Sequence, residues 1–276
     1  MSANTSYLRG PLAIAVFTWR EGMRKKTLVG FLILSLLVIF GASFMTTSLD
    51  PTSDTDMTMK LIKDICVTTI SIFGVLITIF ISAAVVPAEM ENKVIYTILS
   101  KPIRRLQYLL GKFAGVQMIV IINLLLMGGL FMVALYLQQR EFPSLLLWSI
   151  FLTYFEFLIV SSFTFAVSCS STSPVLPTIA GLFIYLTGNL TQYLQDVSVR
   201  SGQSDAVADQ IIAKIALGLY WVLPNLQQFS LKTQIVNGSL SDPPTEAWIP
   251  NLVIYGLVYA VSGFAMAYWI FRRREL

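Results

Sequence analysis

The stretch CVTTISIFGVLITIFISAAVV (Cys66–Val86) runs for 21 residues without a charge. A helix needs about 20 mostly apolar residues to cross the hydrocarbon core of a bilayer. A barrel strand would be shorter and would alternate apolar with polar residues, which this run does not do. The stretch therefore reads as a transmembrane helix. Five more segments read the same way: Thr27–Thr46, Phe113–Leu137, Ser144–Cys169, Val175–Leu194 and Ile249–Phe271. Pro177 lies near the start of the fifth, where a missing N–H is tolerated.

Whole-chain totals agree. Of 276 residues, 55% are hydrophobic and 12% charged, about half the roughly 25% charge of an ordinary soluble protein. Mean hydropathy is +0.72. A soluble core could not hide this much apolar surface, so the chain requires lipid as a solvent. It has no histidine, which excludes imidazole-ligated metal within the chain; no metal site is expected. Cys66 and Cys169 both lie in apolar runs, so no disulfide framework is implied.

Charge placement gives an orientation. With the N-terminus inside, segments 1–26, 87–112, 170–174 and 272–276 are cytoplasmic and hold 13 of the 19 Lys and Arg. The acids run the other way, 4 inside against 10 outside, with Glu156 within a span. Positive charge marks the cytoplasmic side, so both termini are expected there, in a multi-pass protein of the inner (cytoplasmic) membrane. Pro11–Trp19 is a short apolar stretch whose charges follow it, unlike a cleavable leader. Pro11–Lys26 is expected to form an amphipathic helix in the membrane surface, with Pro11 in its first turn, Phe17 and Trp19 toward lipid, and Arg20 and Arg24 toward headgroups. Residues 195–246 are expected to form a small extracytoplasmic cap. Within it, Ile211–Leu223 reads as an interfacial helix or a shallow re-entrant turn.

The loop that follows the opening stretch reads PAEMENKVIYTILSKPIRRLQYLLGK (Pro87–Lys112). Val94, Ile95, Ile98 and Leu99 fall on one face of a short helix, residues 91–101, that Pro102 stops. Such a helix suits docking onto a soluble partner; a loop that only sets topology is the plainer alternative. Gly111-Lys112 is no phosphate loop, because Phe113 replaces the required Ser or Thr and Leu106 the required Gly. It reads as a glycine at the start of a helix beside an interfacial lysine.

The spacing of Glu91, Leu99, Ser100, Pro102, Arg105, Gly111 and Lys112 resembles the ABC-2 type permeases of ABC transporters. TWREGMRKK (18–26), SCSSTSP (168–174), YWVLPNLQQFSL (220–231) and FRRREL (271–276) fit the same pattern. This chain has Lys93-Val94 where many members carry Gly-Thr. The resemblance is strongest to the small permeases related to the nitrous-oxide reductase maturation permease. It implies an all-α membrane protein of six transmembrane helices, with an N-terminal connecting helix (11–26; Arg20, Glu21, Arg24) and a cytoplasmic coupling helix (91–101). Glu91, Lys93, Tyr96, Ser100, Lys101 and Arg104 would then contact a cytoplasmic ATPase. The chain would have no catalytic site and no cofactor of its own, with ATP and Mg bound by the partner. Two ATPase copies and a second permease chain, identical or similar, would complete an exporter in membrane lipid, with room for an extracytoplasmic accessory protein and no role for nucleic acid. The alternative from another class is a mechanotransmitter that uses ATP to act on an extracytoplasmic or membrane protein without moving a substrate of its own.

Glu156 stands midway along the fourth span. An ionised carboxylate there costs about 2.5–3.5 kcal/mol even on the lenient insertion scale. It is read as a translocation-path or gating residue, or else as a structural hydrogen-bonding group reaching Ser161, Ser162, Tyr154 or a neighbouring span.

Overall fold

The computed structural model describes residues 3–48, 55–91, 104–139, 143–191, 193, 214, 218, 223–237 and 248–274. Most of these residues are helical, with no strand among them. In chain order the helices are α1 (Ala3–Met23), α2 (Lys26–Ser48), α3 (Thr55–Ala84), α4 (Pro87–Glu91), α5 (Arg105–Gln139), α6 (Ser144–Ser170) and α7 (Val175–Asn189). A 3₁₀ turn (Gln227–Phe229), α8 (Lys232–Asn237) and α9 (Ile249–Arg273) follow. Among the described residues, α2, α3, α5, α6 and α9 are long and apolar enough to cross a membrane. With 15 residues, α7 rises only about 22 Å, short of a hydrocarbon core of about 30 Å.

The apolar runs mark the lipid-crossing parts, and the helices outrun them. α3 starts at Thr55, well before Cys66, and takes in Asp56, Lys60, Lys63 and Asp64. α5 starts at Arg105 rather than Phe113. Backbone bonding continues past the hydrophobic boundary because a helix can extend into the polar interface without losing its i to i−4 bonds. The expected helix at 11–26 begins earlier, at Ala3, so Pro11 lies inside it rather than in its first turn. Residues 92–103, most of 195–222 and 238–247 lie outside the described residues, and with them most of the expected coupling helix and cap.

α6 is the central element. α9 packs along it, and α3, α5 and α7 flank it. α2 packs on α3 and α5, while α1 lies along α5. That last contact depends on two small residues. A methyl group on Gly111 would come within 2.7 Å of the Pro11 carbonyl oxygen, and one on Gly115 within 2.8 Å of the Ala15 carbonyl oxygen. Only glycine lets the two backbones approach so closely. α1 is thus seated against the bundle, and Trp19, expected to face lipid, packs on the core instead.

Hydroxyls along the spans are mostly satisfied within their own helices. Thr78 donates to the Gly74 carbonyl at 2.8 Å, Ser82 to Thr78 at 2.7 Å and Thr164 to Val160 at 2.7 Å. Bonding to a carbonyl one turn back is how Ser and Thr survive where water is absent. At one end of the bundle α1, α4 and the C-terminal ends of α6 and α9 converge on the start of α5. The opposite end carries α8, tied to α3 by Lys232 and Asp64 at 3.0 Å. Both of those side chains are well exposed, so the pair adds little stability.

Candidate functional site

Two places in the fold concentrate polar chemistry in an apolar setting. The first is the root of the Pro87–Lys112 loop. Pro87 opens α4, as suits a first helical position. α4 carries two acids two residues apart, and residues at that spacing point to opposite sides of a helix. Glu91 is exposed; Glu89 is turned inward and only 5% exposed. One Glu89 carboxylate oxygen accepts a hydrogen bond from the Tyr108 hydroxyl, and the other accepts from the Lys112 ammonium in an ion pair. Tyr108 and Lys112 are four residues apart on α5, so both present to the same face. Both are fully enclosed, with Lys112 1% exposed.

The cluster reaches further. The Lys112 nitrogen lies 5.8 Å from the centroid of the Phe17 ring of α1, within cation–π range. The Tyr108 ring stacks on Phe271 of α9 at 5.7 Å. One turn earlier, the Arg105 guanidinium donates to the carbonyls of Arg272 (3.0 Å) and Arg274 (3.3 Å) at the end of α9. The Arg274 guanidinium donates to the Cys169 carbonyl (2.9 Å) at the end of α6. Each guanidinium meets carbonyls that the final helical turn leaves unpaired, at the negative end of the helix dipole.

Sequence reasoning missed this cluster. It took Lys112 for an interfacial residue at a helix start. Because α5 begins at Arg105, Lys112 lies two turns in and is covered by α1. Glu89 was also passed over in favour of Glu91. No local signal separates the two acids, because the turn at 85–86 resets the phase between α3 and α4.

Of the expected partner-contact residues, Glu91 and Arg104 are exposed and stand at the two edges of residues 92–103. Arg104 donates its backbone N–H to Gln107 Oε1 at 3.2 Å. Lys93, Tyr96, Ser100 and Lys101 lie outside the described residues. On α1, Arg20 and Arg24 are exposed and Glu21 is half-buried. Glu21 lies within electrostatic reach of Tyr108, which brings α1 to the same cluster.

The second place surrounds Glu156. It sits twelve residues into α6, about 18 Å along the helix, and is 3% exposed. Asn189, at the end of α7, lies within reach of its carboxyl. Asn189 also donates to the Tyr185 carbonyl at 3.0 Å, and the Tyr185 hydroxyl pairs with Ser71 of α3 at 3.2 Å. Glu156 lines a cavity of about 20 Å³ with the hydroxyls of Ser71, Ser149, Thr153 and Ser230. That is room for one water molecule. Ser161 and Ser162 are not its partners. Their hydroxyls donate to Leu158 and Ile159 carbonyls, and Ser161 also accepts from Gln117 at 2.7 Å. A carboxyl ringed by hydroxyls and an amide can take hydrogen-bond donors or a proton at mid-depth, and it links α3, α6 and α7.

Comparison with known families matches residues 12–276 to the family model described as ABC-2 family transporter protein. No curated protein matches the chain.

Proposed function

Because the chain belongs to the ABC-2 family of transporter proteins, we propose that it is a membrane-spanning permease subunit working as half of an exporter, with hydrolysis supplied by a separate cytoplasmic ATPase. The observation that carries this reading is the family match over nearly the whole chain, in a bundle whose loop root is locked to four helices. In the full assembly two permease chains, identical or similar, bind two ATPase copies. Six crossings, with α7 forming most of a Val175–Leu194 span, would put both termini on one side, and the Lys and Arg excess makes that side the cytoplasm of an inner-membrane protein. Residues 91–101 form the coupling helix, and Glu91, Lys93, Tyr96, Ser100, Lys101 and Arg104 meet the ATPase. Arg20, Glu21 and Arg24 belong to the connecting helix. ATP and Mg stay with the partner. Kinship with the nitrous-oxide reductase maturation permease is part of the same proposal and rests on resemblance.

The test is purification of the tagged full chain in gentle detergent, with mass spectrometry and an ATPase assay of what accompanies it. A copurifying cytoplasmic ATPase is the expected result. A chain that purifies without one overturns the permease reading. Stoichiometric capture of an external protein, with no solute flux, would move the assignment to mechanotransmission.

Glu156 is assigned to the translocation path or its gate. Glu156→Gln keeps the shape and a side-chain oxygen that can accept a hydrogen bond, so the thermal midpoint should hold. ATP hydrolysis coupled to transport should fall by about tenfold, the scale of a typical coupling between distant sites. Coupled hydrolysis at the native rate in that variant would leave Glu156 a purely structural group.

A further inference from the structure

The buried cluster at the loop root raises a question that stability does not answer. An enclosed ion pair is worth little more, and sometimes less, than apolar side chains of the same size, because both charges must be stripped of water. What such a pair does supply is register. Both oxygens of Glu89 are engaged, each by a different donor from one face of α5. Two directional bonds fix the rotation as well as the position of α4, whereas apolar contact is non-directional. The backbone bonds of α4 run back to Val86, from Glu89 at 3.1 Å and Met90 at 3.2 Å. Met90 packs on the core, and Glu89 supplies the directional polar contacts to α5.

We propose that the Glu89–Lys112–Tyr108 clamp is the joint through which a push of the ATPase on α4 is transmitted to the bundle. Glu89 and Lys112 act as positioning residues for coupling, and neither contacts the ATPase. This inference rests on the permease reading. Three connections leave the clamp. Phe17 over Lys112 and the backbone contact at Gly111 lead to α1. Phe271 on Tyr108 leads to α9. Arg105 and Arg274 lead on through the α9 terminus to the end of α6, the helix that carries Glu156. A displacement of α4 therefore cannot stay local. It must shift α5 and whatever α5 holds, or break bonds that have no water to replace them.

The test separates register from stability. In the complex with its copurified ATPase, Glu89→Leu, Tyr108→Phe and Lys112→Met are combined, replacing the clamp with apolar side chains. The readout is labelling of Ser230→Cys by a membrane-impermeant thiol reagent, with and without ATP plus vanadate. Ser230 is exposed and lines the Glu156 cavity, and the native Cys66 and Cys169 are buried. The triple variant is expected to match the native thermal midpoint and ATPase recovery. Its nucleotide-dependent change in labelling is expected to fall by about tenfold. The charge swap Glu89→Lys with Lys112→Glu, which rebuilds the pair, is expected to restore most of that change. A triple variant with a native-sized response overturns the inference, and so does a native complex with no response. If the triple variant does not fold, the swap decides: a folded swap without response overturns the joint, and one with response supports it. Failure to recover any ATPase with the native chain strikes the permease reading instead.

Discussion

Replacing Lys112 with alanine is expected to cost about 3–5 kcal/mol of stability, the range found when one partner of a buried pair is removed. The reason lies in what remains. Glu89 stays 5% exposed with a single donor, the Tyr108 hydroxyl. It must then keep a poorly compensated charge or bind a proton, and either is costly. The lysine stem also vanishes from a site enclosed between α1 and α4. Replacing both partners with apolar residues of similar volume removes the buried charge and should cost far less. The contrast between single and paired substitution is the signature, read as the midpoint of thermal unfolding in mild detergent. A Lys112→Ala midpoint at the native value would mean that water reaches the cluster and that the pair is not buried in the working protein.

That cluster marks where the sequence stops being legible. The membrane runs are visible because each is a continuous apolar window, a local property. The polar extensions of α3 and α5 are invisible to the same reasoning, since Asp56, Lys60 and Arg105 look like loop residues until the helix is seen to carry them. Glu156 was conspicuous as a lone acid in an apolar run, but its polar neighbour was not. Asn189 lies on another helix, 33 residues on, and only tertiary packing chooses it over the nearby Ser161 and Ser162, whose hydroxyls bond their own backbone. An aromatic beside a basic run suits the interface, so the sequence alone points Trp19 toward lipid. Gly111 and Gly115 decide otherwise by letting α1 come against α5. Glu89 shows the same limit at smaller scale. Charge alone cannot say which of two acids points inward; the phase of the helix opened by Pro87 does.

The largest functional effect is expected from reversing the two charges at the edges of the loop, Glu91→Lys with Arg104→Glu. Both side chains are exposed, and substitutions at such positions usually move stability by no more than about 0.5 kcal/mol, so the thermal midpoint should not change. Their effect belongs to the partner surface. A face built to meet Glu91 and Arg104 would confront like charges, at a cost of several kcal/mol, which is about a hundredfold or more in affinity. ATPase recovered with the tagged chain should therefore drop to background. Between native chains, recovery should weaken as salt rises, because charges at an exposed rim are screened. Undiminished recovery from the double reversal would remove Glu91 and Arg104 from the contact surface and leave the permease reading to the family match alone. The pattern across the two acids of α4 is the sharper result. Reversal at Glu91 should abolish binding and spare the fold, whereas disturbing the Glu89 clamp should spare binding and uncouple, because Glu91 is exposed and Glu89 is turned into the bundle.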